Sequence, residues 1–178
     1  SRVDELVKEA EDLLEEAKKA NAESIRRIEE LLKRVAEEIR RLSEEDKKLV
    51  EEVRKRVKDK DAIDEVRERS RESLDRIRRI IDEIRRRAEK LLREDEELIR
   101  RLAEELRKLL EKLKRELRDK RAEDKLRRVE EDARRVLEDL KRTLKRLEEE
   151  VRRVLEEARD ILRKNAEENR KVLEDLRR

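Results

Sequence analysis

An apolar stripe that repeats every 3.6 residues and loses phase twice constrains this chain more than any other feature. The stripe covers residues 3–57, 63–117 and 122–176, and each part spans 54 residues in fifteen steps. A step of 3.6 residues is the period of a straight α-helix. The separation from Val57 to Ile63 is six residues and that from Leu117 to Ala122 is five, whereas two helical steps would take about seven. The sequence therefore predicts three helices rather than one.

Each predicted helix begins with a similar sequence: SRVDEL, DAIDEV and RAEDKL. Ser1 with Asp4, and Asp61 with Asp64, resemble N-caps followed by an acid at the third helical position. Arg121 occupies the equivalent place in the third segment, and arginine is a poor N-cap. We therefore expect helix starts near residues 2, 62 and 122, of which the third has the weakest signal.

The predicted connections are about Asp59–Asp61 and Asp119–Arg121. An Asp side chain can bond the backbone two residues further on, so a tight connection without glycine is possible if no residue needs a positive φ. Connections this short make neighbouring helices antiparallel. The sequence predicts an all-α fold, an antiparallel up-down-up three-helix bundle of long, nearly straight helices at about 2–58, 62–118 and 122–178, forming one domain over 1–178.

The composition excludes several classes of protein. The chain of 178 residues has no Gly, Pro, Cys, His or aromatic residue, and 61% of it is charged. High charge can keep a chain disordered, but 56 bases nearly balance 53 acids and the apolar residues are periodic. Without cysteine the sequence says nothing about redox compartment. No apolar run approaches a membrane span, and no signal peptide is visible, so we expect a soluble chain.

Ten polar residues lie on the otherwise apolar stripes. In the predicted bundle, residue i of the first helix is level with residue 120 − i of the second and i + 120 of the third. This rule gathers the ten residues into two layers, each drawing on all three helices. The first polar layer is Asn21, Ser24, Asp95 and Thr143, and the second is Ser43, Asp46, Ser70, Ser73, Asn165 and Asn169.

The two layers have matched hydrogen-bonding chemistry. A carboxylate offers about four acceptor sites, an Asn amide two donor hydrogens and a hydroxyl one. We expect Asp95 and Asp46 each to be served by the amides and hydroxyls of its own layer, because a buried carboxylate without partners is very costly. An alternative is that some of these residues face the edge of the stripe and meet water, foremost Ser24, Ser73 and Thr143 and less so Asp46, Asp95 and Asn165.

Neither layer has the residues of an active site. Ser43 and Ser70 near Asp46 lack a His or Lys on the stripe to act as a base. One Asp per layer is weak for a metal, which in a helical bundle typically takes several Glu with His. The basic runs 76–79 and 85–87 are interrupted by acids, and no aromatic residue can stack on bases. We expect no enzyme activity, no cofactor and no specific nucleic-acid binding.

The chain resembles computationally designed helical bundles with buried hydrogen-bond networks. The resemblance rests on three segments of equal length, an 18-residue periodicity, a surface of alternating Glu and Arg pairs, and the layered Asn, Ser, Asp and Thr residues. It implies a rigid scaffold without an evolved function, whose networks penalise wrong registers, and a monomer without partners. The alternative is an interaction module that self-associates, or opens to accept a partner helix where the first helix is thin: Ala10, Ala17, Ala20 and Ala22.

Overall fold

The computed structural model describes residues 1–56 and 60–177, and its regular structure consists of α-helices. Helix α1 is Arg2–Arg56, α2 is Lys60–Arg115 and α3 is Lys120–Arg177. The three predicted helices are therefore confirmed. The predicted end of α1 and part of the connection at Asp59–Asp61 lie outside the described residues.

The helices are supported on their exposed faces by ion pairs between residues three or four apart. Arg27 and Glu23 are 2.9 Å apart, and Arg41 and Glu45 are 3.1 Å apart, with all four side chains more than half exposed. Each such pair contributes a few tenths of a kcal/mol to its helix. These charged residues thus stabilise the individual helices, while the apolar stripe forms the core.

The contacts divide the chain into two compact units, and each unit takes one segment from every helix. The first unit is Ser1–Ile28 with Glu89–Glu149. In it the N-terminal part of α1 packs with the C-terminal part of α2 and the N-terminal part of α3. Leu6, Leu113 and Leu126, one from each helix, form one apolar cluster. They obey the register predicted from the sequence, which places residue 6 level with 114 and 126.

The second unit is Glu29–Ala88 with the segment from Glu150 onward. Here the C-terminal part of α1 packs with the N-terminal part of α2 and the C-terminal part of α3. Val50, Ile63, Val66 and Leu173 form its apolar cluster. In both units α2 runs against α1 and α3, so the antiparallel up-down-up order is confirmed. The single domain stays a prediction.

The connection between α2 and α3 differs from the predicted one. Residues 116–119 are non-helical and α3 begins at Lys120, so the prediction of a connection at Asp119–Arg121 is wrong by about two residues. The cap is Asp119: its Oδ1 accepts the backbone N–H of Ala122 at 2.8 Å. A side-chain oxygen that binds the N–H three residues on is the N-cap arrangement. No described residue has a positive φ, so this connection needs no glycine.

The starts of α1 and α2 confirm one prediction and correct another. Ser1 Oγ accepts the backbone N–H of Asp4 at 3.3 Å and donates to the Asp4 carboxylate at 3.0 Å, as expected of an N-cap. Helix α2 has already begun at Lys60. Asp61 therefore lies in the first helical turn, and the prediction that it is an N-cap is wrong. An acid in the first turn still interacts favourably with the helix dipole.

Candidate functional site

The ten polar residues predicted to form two layers divide by burial into two groups. Three are half-buried at the edge of their helices: Ser24, Ser73 and Thr143. The other seven are buried, with 1–6% of their surface exposed: Asn21, Ser43, Asp46, Ser70, Asp95, Asn165 and Asn169. All members of the first polar layer lie in the first unit, and all members of the second lie in the second unit.

The second polar layer is centred on one oxygen of Asp46. Its Oδ2 accepts hydrogen bonds from Ser70 Oγ on α2 at 3.4 Å and from Asn165 Nδ2 on α3 at 3.1 Å. Asn169 Nδ2, one turn further along α3, donates to the same oxygen. A single carboxylate oxygen of α1 thereby holds donors from both other helices of the unit.

The two amides use their remaining donor hydrogens within the layer. Asn165 Nδ2 also donates to the backbone carbonyl of Ser43 at 3.4 Å, and Asn169 Nδ2 donates to Ser70 Oγ at 3.2 Å. The expected donation from the Ser43 and Ser73 hydroxyls to Asp46 is not found among the described residues. Ser43 lies on the same helix as Asp46 and contributes its carbonyl, while Ser73 remains at the half-buried edge of α2.

Two atoms of this layer are buried without a partner. They are Asp46 Oδ1 and Asn165 Oδ1, which belong to two groups already joined by a hydrogen bond. An ionised carboxylate and an amide oxygen are both acceptors, so neither can serve the other. The Asp46–Asn165 contact therefore leaves one acceptor oxygen on each of the two residues without a hydrogen-bond donor.

The first polar layer serves its carboxylate differently. With the Asn21 amide nitrogen turned toward Asp95, Nδ2 lies 3.1 Å from both Oδ1 and Oδ2 and donates to each. The Ser24 hydroxyl, although half-buried, is near enough to Asp95 to oppose the rise in its pKa. Thr143 makes no hydrogen bond to Asp95 among the described residues. Both oxygens of Asp95 are thus engaged, whereas only one oxygen of Asp46 is.

Burial perturbs both carboxyl groups in the same direction. Desolvation raises the pKa of Asp46 above its ordinary value, against the opposing effect of hydrogen bonds from Ser70, Asn169 and Asn165. Desolvation also raises the pKa of Asp95, opposed by the nearby Ser24 hydroxyl. In each case the cost of removing a charge from water outweighs the neutral donors provided.

A groove of about 480 Å³ between α2 and α3 opens onto the second polar layer. Ser70 and Asn169 line it, together with Leu74 and Leu173 and a rim of arginines that includes Arg67. One side of the second polar layer therefore borders an open groove rather than the apolar core.

The chemistry available in the second polar layer is that of hydroxyl, amide and carboxyl groups. Ser70 Oγ donates to Asp46, but no His, Lys or Cys accompanies them in the layer to complete a nucleophile and base pair. Among residues 1–56 and 60–177, no three acidic or metal-binding side chains converge in a way that could hold a metal ion. No described helix is both long enough and apolar enough to cross a membrane. What the layers show is hydrogen bonding between the helices of each unit.

Comparison with known proteins places the fold. No protein-family model matches this sequence, and no curated protein is similar to it. A solved structure described as a computationally designed three helix bundle is similar over 98% of this chain and 87% of that chain, with a TM-score of 0.53 and 18% sequence identity. Taken with the three helices that meet in each unit, this likeness shows that the chain has the three-helix-bundle fold.

Proposed function

We propose that the chain is a designed structural scaffold without a natural biochemical activity, and that its two buried polar layers fix the register of the helices. A sequence of 178 residues without Gly, Pro, Cys, His or aromatic residues supports the design origin, because the first two alone average about 12% of natural proteins. The similar three-helix bundle, itself described as computationally designed, supports it further. As a scaffold the chain needs no cofactor and no partner, and we propose that it is a monomer.

The observation that carries the register role is the convergence of donors on Asp46. Ser70 on α2 and Asn165 on α3 both reach Oδ2. A helix that slipped by one turn would move about 5.4 Å, which would leave a buried carboxylate and two amides unpaired. An unpaired buried polar group costs about 1–3 kcal/mol, whereas slipped Leu and Ile side chains would still meet apolar neighbours. Polar layers therefore penalise wrong registers more than apolar layers do.

Replacing the second polar layer by apolar residues tests this role. The variant carries Asp46→Leu, Ser70→Val, Asn165→Leu and Asn169→Leu. We expect it to unfold at a higher denaturant concentration, since exchanging buried polar groups for packed apolar ones is often stabilising by about 1–4 kcal/mol. We also expect its register to become less well defined.

Register is measured by the distance between spin labels on engineered cysteines, which are unique because the chain has none. Labels at Lys47 and Glu168, whose charged groups are 4.0 Å apart, report the second unit. Labels at Lys114 and Glu130, whose charged groups are 3.8 Å apart, report the first unit, where the polar layer is intact. A distance distribution that broadens only in the second unit supports the proposal. An unchanged distribution with a single mass would contradict it.

A second candidate function is a helical interaction module, which one surface feature favours. A groove of about 310 Å³ between α1 and α2 of the first unit is lined by Leu13, Ala17, Ala20, Leu98 and Leu102. The alanine patch predicted on α1 is only partly on this surface. The other two alanines of the patch lie outside the groove. Ala10 is 1% exposed and packs in the core, whereas Ala22 is exposed to solvent.

Light scattering across a dilution series separates the two functions. A constant mass near 21.9 kDa supports the monomeric scaffold. A mass that rises with concentration, and that Ala20→Glu abolishes, would instead identify the α1–α2 groove as a site of self-association. Ala22→Glu is the matched control, since Ala22 is exposed outside that groove.

A further inference from the structure

The second polar layer holds a pair of groups whose hydrogen bonding is incomplete in a specific way. Asn165 Nδ2 donates to Asp46 Oδ2 at 3.1 Å, and the two atoms left without partners are the other oxygen of that carboxyl group and the oxygen of that amide. Asp46 Oδ1 is bonded to the same carbon as Oδ2, which accepts the hydrogen bond. Asn165 Oδ1 is bonded to the same carbon as Nδ2, which donates it. A third buried atom without a partner, Arg85 Nε, belongs to a different part of the second unit.

The three donors that reach Asp46 Oδ2 have no hydrogen to spare for these two oxygens. Both hydrogens of Asn165 Nδ2 are used, on Asp46 Oδ2 and on the Ser43 carbonyl. Both hydrogens of Asn169 Nδ2 are used, on Asp46 Oδ2 and on Ser70 Oγ, and the Ser70 hydroxyl donates to Asp46. A hydrogen carried by the carboxyl group itself would join the two oxygens that lack partners.

We propose that the second polar layer responds to protonation: as the pH falls, Asp46 takes a proton from solvent on Oδ1 and donates it in a hydrogen bond to Asn165 Oδ1. The two groups are then joined by two antiparallel hydrogen bonds, N–H to Oδ2 and O–H to the amide oxygen. No covalent bond between residues changes, and the proton returns to solvent when the pH rises. Ionisation opens the second bond and leaves two acceptors adjacent in a buried site.

The first polar layer does not share this property, because Asn21 already donates to both oxygens of Asp95. A proton on Asp95 would displace a donor rather than fill a gap. A hydrogen bond from a protonated carboxyl group to an amide oxygen is therefore expected in the second unit and not in the first. The inference concerns protonation alone and stands whether or not the layers fix the register.

The charged groups around Asp46 do not replace the proton. Among the described residues none of them hydrogen-bonds or ion-pairs with Asp46, and the buried carboxyl group meets only neutral donors. Burial accordingly raises the pKa of Asp46, with no charged neighbour opposing it. The charged residues that line the adjacent groove are Arg67, Arg71, Asp75 and Arg78 on α2 and Arg170 and Glu174 on α3. Lys47, which follows Asp46 in the sequence, pairs with Glu168 of α3.

The test is an NMR titration of the Asp46 carboxyl carbon in the intact folded protein, assigned by its loss in Asp46→Asn. We expect a midpoint above about pH 4, the ordinary value for aspartate. A midpoint at or below that value would overturn the proposal. This measurement needs no destabilising variant other than the one used for assignment.

A pair of matched variants separates the acid–amide pair from simple burial. Asn165 and Asn169 lie one turn apart on α3 and both donate to Asp46 Oδ2, but only Asn165 offers a vacant acceptor. Asn169→Leu removes a donor to the carboxylate and should raise the midpoint of Asp46. Asn165→Leu removes a donor and also the acceptor of the acid proton, so the midpoint should rise less or fall. Equal upward shifts in the two variants would show that Asn165 acts only as a donor and would overturn the proposal.

Discussion

The amide of Asn165 on α3 donates a hydrogen bond to Asp46 Oδ2 on α1 across 3.1 Å, although 119 residues separate them in the sequence. Ser70 of α2 donates to the same oxygen at 3.4 Å. This oxygen is therefore a point at which all three helices of the unit are joined by polar contacts. The contribution of these hydrogen bonds to the free energy of unfolding, and its change with pH, can each be measured.

Replacing Asp46 by Ala should destabilise the chain by about 1–3 kcal/mol, because two amides and a hydroxyl lose their shared acceptor in a buried site. The measurement is the midpoint of chemical denaturation at constant slope. Lys48→Ala on the exposed face of the same helix is the control, and surface changes of this kind stay within about 0.5 kcal/mol. An unchanged midpoint for Asp46→Ala would mean that the second polar layer is not a buried network.

The raised pKa values of Asp46 and Asp95 predict the sign of a pH dependence. A carboxyl group that binds its proton more tightly when folded contributes stability that is fully present below the unfolded pKa, about 4. That contribution is lost as the pH rises through the folded pKa. Relative to the Asp46→Asn/Asp95→Asn double variant, the wild-type chain should therefore lose free energy of unfolding as the pH rises above about 4.

The measurement for this pH dependence is denaturant unfolding of both proteins at a series of pH values. The control is Asp12→Asn/Asp82→Asn, which removes one exposed acid from each unit. The difference in free energy of unfolding between the wild type and this control should change little with pH. The difference between the wild type and the Asp46→Asn/Asp95→Asn variant, called here the buried-pair offset, should change more. A buried-pair offset that is constant, or that changes in the opposite direction, would contradict the prediction.

Replacing Asp119 by Ala should cost about 0.5–2 kcal/mol, the usual loss for an N-cap. The reason is the 2.8 Å bond from the Ala122 N–H to Asp119 Oδ1, which has no substitute in the variant. Asp119→Asn should keep most of the stability, since Asn is also a good cap. Arg121→Ala is the control that decides the position of the helix start. A larger loss for Arg121→Ala than for Asp119→Ala would place the cap at residue 121.

Truncating Leu113 to Ala should destabilise the chain by about 2–5 kcal/mol. Leu113 is 1% exposed and packs with Leu6 and Leu126, so its removal leaves a cavity that three helices surround. Ile161→Ala is the comparison, since Ile161 is 37% exposed and loses little burial. Thermal or chemical unfolding gives both values. Similar losses at the two positions would show that the Leu6–Leu113–Leu126 cluster is not tightly packed.

The sequence alone determined the three helices and how they align, for a simple physical reason. The period of the apolar stripe is a local property of the backbone, and two breaks in phase are enough to count helices. Once the helices are antiparallel, the alignment is arithmetic, which is why Leu6, Leu113 and Leu126 meet as expected. The same arithmetic placed Asp46 level with Asn165 and Asn169, and their amides do reach its carboxylate.

Only the tertiary structure decided which atoms are paired. Residue height along a helix does not specify rotation about its axis or side-chain rotamer, so the sequence could not distinguish the Ser43 carbonyl from the Ser43 hydroxyl as the partner in the layer. Nor could it show that Asn21 serves both oxygens of Asp95 while Asp46 keeps one oxygen unserved. The cap at Asp119 likewise depends on backbone geometry at a helix end, where the apolar period does not specify the first helical residue. Periodicity determines which residues share a level, and hydrogen-bond geometry, which acts over about 3 Å, is decided only when the side chains are packed.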